Sequence, residues 1–351
     1  MAQIGQHWLA TLVVGGLGGW GANLIGWPLP WVVGSLVMVM AVRCCGLLLP
    51  GIPGGRKVGQ LIVAIVIGCH FTLEVMREVV SNLGIVVMAI ALTLVIALSS
   101  IWLLHRWGVE LSTAFFALMP ANSTEMIHLS RKRGADSGFV AAAHSVRLLT
   151  ILLGVPLGAT LLASHDIQVT EQPVLWGWLI GICPLAWVFA LLFERLNLPN
   201  PWIFGPFMAC AIMIGGADLH MSMPGWLGAF GQLMAGCVLG INFDRPFFRR
   251  APAFVGKVFL LFVGAVVATA AVAWVVGPIA QVSGLSLALG MMPGNAPEMS
   301  LTAGALNLAV ALVTAMQTIR MILVQAATLP LYKLFTRSQA QRTSEKRVDQ
   351  N

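Results

Sequence analysis

Two short polar stretches interrupt the apolar runs of this 351-residue sequence, and both follow the pattern Pro-x-Asn-x-x-Glu-Met. They begin at Pro120 and at Pro293. A carboxylate among apolar residues can take up a proton or a cation, because burial disfavours its charged form. The glutamates Glu125 and Glu298 also lie three residues after an asparagine, which is the spacing of a helix capping box. Each glutamate is therefore either an ion-handling group or a helix cap.

The asparagines of the two motifs, Asn122 and Asn295, have a similar pair of interpretations. Proline ends a helix, and asparagine is a good N-cap for the next one. A helix that starts at each asparagine would direct free N–H groups and the positive end of its dipole towards an anion. Each asparagine is therefore a cap or a ligand.

One arginine follows each motif inside an apolar run, Arg147 in the first half and Arg320 in the second. A guanidinium in hydrocarbon needs an anionic partner or water. One alternative is a pair of structural ion pairs, Arg147 with Glu125 and Arg320 with Glu298. The other is a pair of cationic groups that hold an anionic substrate.

Polar residues also occur one turn before each arginine, His144 in the first half and Gln317 in the second. A histidine near a carboxylate can carry a proton, or it can be a structural hydrogen-bond donor. The candidate binding residues for a substrate or ion are therefore Asn122, Glu125, His144, Arg147, Asn295, Glu298, Gln317 and Arg320.

The composition places the chain in a membrane. It is 58% hydrophobic and 9% charged, whereas about a quarter of the residues of a soluble domain are charged. Apolar runs of ~20 residues, enough to span ~30 Å of hydrocarbon, recur along the chain. A β-barrel would show short alternating segments instead. We therefore predict an all-α polytopic membrane protein surrounded by the lipid bilayer.

Other classes of chemistry have little support. The basic residues form short clusters between apolar runs, which is typical of membrane orientation signals and not of nucleic-acid binding. The six cysteines lie in apolar segments without CxxC spacing, and the histidines lack metal-ligand spacing. No nucleophile is paired with a base. We expect no enzymatic activity, catalytic residue, metal, cofactor or nucleic-acid partner.

The second half of the chain repeats the first. Pro30-Trp31-x-x-Gly34 returns as Pro201-Trp202-x-x-Gly205, and Gly59-Gln60-Leu61 returns as Gly231-Gln232-Leu233. The motifs and their arginines follow in the same order, at offsets of 171 to 173 residues. We predict a first membrane repeat at 1–165, a second at 174–335 and a basic, disordered cytoplasmic tail at 336–351.

Each repeat contains five apolar spans, and its motif lies between the fourth and the fifth. The predicted spans are 8–26, 30–48, 59–80, 83–105 and 138–163, then 174–193, 202–218, 228–243, 254–277 and 305–334. The arm before Pro120 is about nine residues long, which as a helix reaches only ~13 Å. Each motif thus predicts a re-entrant hairpin, which returns to the face it entered, or a broken helix that crosses.

The lysines and arginines separate these alternatives. If the hairpins return, seventeen of the twenty lie on one face, Arg77 lies on the other, and Arg147 and Arg320 lie within the membrane. If the broken helices cross, the eighteen outside the membrane divide equally. The positive-inside rule favours returning hairpins with both termini in the cytoplasm. Five spans per repeat then make the second repeat inverted relative to the first.

The paired motifs with their following arginines resemble the membrane AbrB family. The run Leu198-Pro199-Asn200-Pro201-Trp202-Ile203-Phe204-Gly205-Pro206 is similar to a second motif of that family. In the first half, Val33-Gly34-Ser35 replaces the Gly-Pro. The resemblance covers nearly the whole chain. It implies a multi-pass protein of the bacterial inner (plasma) membrane that is similar to the cation/proton antiporter and anion transporter superfamily, whose members use inverted repeats.

These observations predict a proton- or sodium-coupled secondary transporter of a small anionic metabolite, with a site at the midplane between the two motifs. The alternative is a membrane regulatory or sensor protein that acts on gene expression through a partner. A sensor would need a sizeable soluble domain, and only the tail offers a candidate. The glycine-rich first span permits close helix packing within the chain or pairing of two copies as a homodimer.

Overall fold

The computed structural model of the chain describes residues 8–162, 172–198, 200–243 and 252–348. Within these residues all regular secondary structure is helical. In chain order the helices are α1 (Trp8–Leu24), α2 (Pro30–Cys44), α3 (Gly55–Gly68), α4 (Leu73–Ser81), α5 (Leu83–Arg106), α6 (Leu111–Leu118), α7 (Ser123–Lys132), α8 (Ser137–Leu162), α9 (Trp176–Arg195), α10 (Pro201–Ala217), α11 (Gly225–Gly240), α12 (Pro252–Ala280), α13 (Gly284–Met291), α14 (Ala296–Ala305) and α15 (Val310–Val348). One long, two short and one long helix follow each other at α5–α8 and again at α12–α15.

Five of the described helices are long and apolar enough to cross a membrane, namely α5, α8, α9, α12 and the part of α15 up to Phe335. Three shorter helices, α2, α10 and α11, are also apolar. A crossing needs about 20 helical residues, and α5 has 24. The described chain therefore has the helix lengths and composition of a helical membrane protein, as the sequence predicts.

The predicted span 59–80 is not one helix. The N–H groups of His70 and Phe71 bond to the carbonyls three residues earlier, which tightens the backbone and ends α3 after Gly68. The next helix, α4, is nine residues long and carries Glu74, Arg77 and Glu78. Three charged residues in nine would be costly in hydrocarbon, which explains why the apolar helix ends before them.

The last predicted span also differs. It starts at Val310, because the chain turns between Leu306 and Ala309 after α14. Helix α15 then continues to Val348. It runs through 336–348, for which the sequence predicts disorder, and residues 349–351 lie outside the described residues.

The helices pack as two bundles. In the first bundle α1, α2, α3, α9, α10 and α11 contact one another, and in the second α5 to α8 pack with α12 to α15. Helix α4 contacts α10 of the first bundle and α15 of the second. The bundles meet at a buried apolar cluster, here called the bundle interface, formed by Leu29, Val32, Val33, Leu36, Val63, Ile67, Leu152 and Leu301.

A glycine allows a close helix contact inside the first bundle. A Cβ added at Gly205 of α10 would lie 2.6 Å from the carbonyl oxygen of Phe189 and 2.7 Å from the nitrogen of Ala190, both on α9. These atoms belong to the backbone, so they cannot move aside as the end of a flexible side chain could. The two helices can therefore approach this closely only because residue 205 has no side chain.

We expect Gly205→Ala to destabilise the fold by about 1–3 kcal/mol, because overpacking forces backbone shifts. Thermal unfolding of the detergent-solubilised protein measures the effect. The control is Gly216→Ala on the same helix, where a Cβ would meet nothing within 4 Å. That variant should be neutral or more stable by up to ~1 kcal/mol. Equal melting temperatures for the two variants would contradict the prediction.

Candidate functional site

The first motif joins two short helices through an extended residue and a proline. Helix α6 ends at Leu118, and Met119 is extended, with φ −62° and ψ 124°. The N–H of Ala121 donates to the Met119 carbonyl at 2.8 Å, which forms a tight turn around Pro120. Helix α7 then starts at Ser123.

The second motif has the same local structure. Helix α13 ends at Met291, and Met292 is extended, with φ −57° and ψ 142°. The N–H of Gly294 donates to the Met292 carbonyl at 2.7 Å, and α14 starts at Ala296. The motif thus produces the same break between two short helices twice.

The two arginines hydrogen-bond the carbonyls at these breaks. Arg147 of α8 donates to the Ala121 carbonyl at 3.3 and 3.4 Å and to Ser123 Oγ at 3.2 Å. Arg320 of α15 donates to the Gly294 carbonyl at 2.7 Å, and Ala121 and Gly294 hold the same place in the two motifs. Both arginines are buried, with 2% and 3% of their surface exposed.

Arg320 also bonds the end of α13. It donates to the Met291 carbonyl at 3.2 Å, to the Met292 carbonyl, and to Gln317 Oε1 at 2.5 Å. The last carbonyls of a helix have no partner within it, and they form the negative end of its dipole. A buried guanidinium therefore compensates the carbonyl ends of the broken helices.

Among the described residues, neither arginine forms an ion pair with the glutamate of its own half, which is one of the two alternatives that the sequence leaves open. In the part of the chain that the structure describes, the ion pair within 4.0 Å is Lys57 with Glu194, at 2.8 Å. Glu298 instead interacts electrostatically with Arg147, the arginine of the other half. Both arginines bond to carbonyls through their terminal nitrogens, whereas within the described residues the buried Nε of each has no hydrogen-bond partner.

His144 and Gln317 make equivalent hydrogen bonds. His144 Nε2 lies 3.0 Å from the Phe116 carbonyl, and Gln317 Nε2 donates to the Leu289 carbonyl at 2.6 Å. Phe116 and Leu289 are equivalent residues in the two halves. A carbonyl only accepts hydrogen bonds, so His144 Nε2 carries a proton here. Because glutamine makes the same bond, the geometry favours a structural donor role for His144.

The asparagines and glutamates differ between the motifs. Asn295 occupies the N-cap position of α14, but its side chain makes no capping bond there, which disfavours the cap among its two interpretations. Its Nδ2 lies 3.5 Å from Glu298 Oε1, and within the described residues the buried Oε2 of Glu298 has no hydrogen-bond partner. Asn122 Nδ2 donates to Asn200 Oδ1 of the first bundle at 3.2 Å. Glu125 is partly exposed.

Both motifs line one cavity between the two bundles, here called the motif cavity, with a volume of about 310 Å³. Ligand pockets range from about 300 to 1,000 Å³, so this volume fits a small molecule. The predicted site residues in its lining are Asn122, Asn295, Glu298, Gln317 and Arg320. Glu125, His144 and Arg147 do not line it.

One protein-family model matches the part of the chain that contains this site. The family model described as "Transition state regulatory protein AbrB" matches residues 31–336, which include both motifs and both arginines. The chain belongs to the AbrB family.

Two curated relatives are of similar length. "Uncharacterized protein YhjN" of Bacillus subtilis (strain 168) is 24% identical over an alignment 357 positions long, which covers 92% of this chain and 91% of the relative. "Putative regulator AbrB" of Escherichia coli (strain K12) is 24% identical over 268 residues, which is 75% of this chain and 77% of the relative. Neither name states a substrate.

This AbrB-family chain also brings residues to the cavity that sequence reasoning missed. They are Arg56, Gln60, Ser123, Asn200 and Asn242. Asn200 immediately precedes α10 in the left-handed conformation, with φ 46°. The sequence carried a signal for two of them, because Gln60 recurs in the repeat and Asn200 lies in the second AbrB motif. Gln60 indicates the repeat and Asn200 indicates the family, but neither pattern by itself indicates a place in the site.

Proposed function

We propose that this chain is a secondary transporter that moves a small anionic metabolite across the bacterial inner membrane, coupled to protons or sodium. The observation that carries the proposal is the motif cavity. It lies between two helical bundles, and both broken elements line it. Many secondary transporters place their substrate site at such interrupted helices near the midplane.

The charge of the cavity favours an anion. Three helices, α7, α10 and α14, begin at its wall, each directly after an asparagine (Asn122, Asn200 and Asn295). Helix N-termini carry partial positive charge and free N–H groups. Among the described residues of the lining, Arg56 and Arg320 are cationic, and Glu298 is the one carboxylate. The lining is therefore positive overall.

Hydrogen bonds at the base of each broken element support re-entrant hairpins. The N–H of Asp136, after α7, donates to Thr113 Oγ1 near the start of α6 at 3.1 Å. In the second half the N–H of Ala309, after α14, donates to Ser286 Oγ near the start of α13 at 3.3 Å. The second arm thus ends beside the start of the first. This favours an element that returns to its starting face.

Returning hairpins keep the charge bias that predicts cytoplasmic termini. Part of this bias comes from Arg245, Arg249 and Arg250, which lie outside the described residues. An odd number of crossings in each half makes the second half inverted relative to the first. We propose this inverted arrangement together with the transport function.

Homodimer formation through α1 is a weaker proposal. Added Cβ atoms at Gly15 and Gly18 would overlap α11 and α2 of the same chain. These glycines therefore already serve packing within the chain. Gly16 and Gly21 have open space around them, and a second copy would contact α1 there.

Charge selectivity can be measured before the substrate is known. The background is a variant without the six natural cysteines, into which Gln60→Cys is introduced. This protein is treated with two methanethiosulfonate reagents of similar size. One carries an anionic sulfonatoethyl group and the other a cationic trimethylammonioethyl group. We expect the anionic-to-cationic rate ratio to be several-fold higher than at a reference cysteine, because the cavity lining concentrates anions. The reference is Gly51→Cys, at an exposed loop position before α3.

An equal or lower ratio at Gln60→Cys would contradict an anion site. It would favour the regulatory alternative, for which the name of the Escherichia coli relative is the supporting observation. A membrane regulator that acts through a partner protein does not need an anion-selective cavity.

A further inference from the structure

A second cavity of about 430 Å³ lies at the other end of the first bundle. It is here called the opposite cavity. Residues of α3 between Arg56 and Val63 line the motif cavity. Val66 of the same helix and the two residues after Gly68 line the opposite cavity. Along α11 the order is reversed, because Gly225 to Gln232 line the opposite cavity and Ala235 to Leu239 line the motif cavity. The two cavities therefore occupy opposite ends of the same helices.

Equivalent residues of the two halves line the two cavities. Five residues that line the opposite cavity have their equivalent in the other repeat, 171 or 172 positions away, in the lining of the motif cavity. The pairs, opposite cavity first, are Leu29 and Asn200, Gly228 and Arg56, Gln232 and Gln60, Val66 and Val238, and His70 and Asn242. Such an exchange is expected when an inverted repeat builds the two ends of one pathway.

The bundle interface separates the two cavities. Val63 and Leu301 of this cluster line the motif cavity, and Leu29 lines the opposite cavity. Helix α14 connects the two, because Glu298 lines the motif cavity and Ala305 the opposite cavity. Seven helical residues correspond to about 10 Å along the axis. A short apolar barrier thus lies between them.

Polar side chains line the opposite cavity. Within the described residues, Gln232 Oε1 is buried and has no hydrogen-bond partner. Asn23, His70 and Ser222 also line this cavity, and the Ser222 hydroxyl donates to the Gln172 carbonyl at 2.7 Å. The amide nitrogens of Asn23 and Gln232 and the imidazole of His70 can donate hydrogen bonds to an anion.

We propose that the opposite cavity is the second entrance to the motif site. This inference rests on the proposed transport function. The small anion enters from the other membrane face, and Gln232 contacts it there as Gln60 does in the motif cavity. Access to the motifs opens when the two bundles separate at the bundle interface. The described conformation is the one that is open through the motif cavity.

Cysteine accessibility from the two faces tests the inference. In the variant without natural cysteines, single cysteines are introduced at Gln60, Gln232 and Leu301. An impermeant cationic thiol reagent is applied to right-side-out and to inside-out membrane vesicles. Gln60→Cys should react from one face and Gln232→Cys from the other. Leu301→Cys should react from both faces, because alternating conformations expose the barrier to each side in turn.

The expected rates follow from the populations of the conformations. A minor conformation is typically populated at about 0.1–10%, so Leu301→Cys should react about 10- to 1,000-fold more slowly from the face of the opposite cavity. Val63→Cys is a second barrier variant in case Leu301→Cys does not fold. The control is Ala186→Cys, at a buried residue with 0% exposure that lines neither cavity. It should react from neither face.

The inference is overturned if both barrier cysteines react from the face of the motif cavity alone. It is also overturned if Gln232→Cys and Gln60→Cys react from the same face. These outcomes differ from failure of the proposed function. Loss of anion preference at Gln60→Cys would contradict anion transport and leave the two-face access of Leu301→Cys unchanged.

Discussion

Arg320→Met is expected to lower stability by about 3–5 kcal/mol, because it removes four hydrogen bonds from a buried charged donor. The Met291, Met292 and Gly294 carbonyls and Gln317 Oε1 would each lose this donor. The Met291 carbonyl keeps the bond from Thr93 Oγ1, and the Met292 carbonyl keeps the one from Gln317 Nε2. Thermal unfolding in detergent measures the loss. Methionine has a volume similar to that of arginine and an apolar stem like it. The loss of stability therefore reports the lost hydrogen bonds and not a new cavity.

Two further variants test this structural role. Arg320→Lys keeps the charge but cannot bond several carbonyls at once, so it should remain clearly less stable than wild type. Lys57→Ala breaks the exposed ion pair with Glu194, and exposed pairs contribute only about 0–1 kcal/mol. If Arg320→Met unfolded at the same temperature as Lys57→Ala, the arginine would not stabilise the break.

The second large effect concerns the two glutamates, which the structure places differently. Glu298 lines the motif cavity, whereas Glu125 does not. In the Gln60→Cys protein, we expect the anionic-to-cationic rate ratio to be higher at pH 6 than at pH 8. Protonation of Glu298 at low pH removes the negative charge of the one carboxylate among the described lining residues and makes the cavity more positive. The thiolate fraction is the same for both reagents, so it cancels in the ratio.

In Glu298→Gln, the anionic-to-cationic rate ratio should be high at both pH values. In Glu125→Gln, the ratio should change with pH as it does in the Gln60→Cys protein without a further substitution. The other charged groups near Glu298 are Arg56, Arg147 and Arg320, and arginine keeps its charge over this pH range. His144 does not line the cavity, and its Nε2 bonds the Phe116 carbonyl. A pH-dependent ratio that persists in Glu298→Gln would mean that another group takes up the proton.

The breaks in the helices could be predicted because proline and asparagine act locally. Pro120 and Pro293 each follow a short apolar arm, and the structure ends α6 and α13 just before them. The composition predicts a helical membrane protein for a similar reason, because each apolar run can be recognised from its own residues. Family membership likewise rested on contiguous motifs.

The partners of the polar side chains could not be predicted from the sequence. The sequence leaves open whether Arg147 and Arg320 pair with the glutamates or hold an anionic substrate, because a buried guanidinium needs an anionic partner or water. Backbone carbonyls released by the breaks serve instead, and sequence patterns do not show them. The contribution of Asn200 was missed because it depends on how α10 of one bundle meets α7 of the other.

The volume of the motif cavity bears on the size of a ligand of the proposed transporter and on the conditions for identifying it. A bulk water molecule occupies about 30 Å³, so about 310 Å³ corresponds to about ten waters. A ligand of about ten non-hydrogen atoms, which is the size of a short dicarboxylate, would fit this space. Ligand efficiency bounds the binding free energy of so small a molecule. Stabilisation requires ligand above its dissociation constant, so thermal-shift screens of this protein should use small acids at about millimolar concentration.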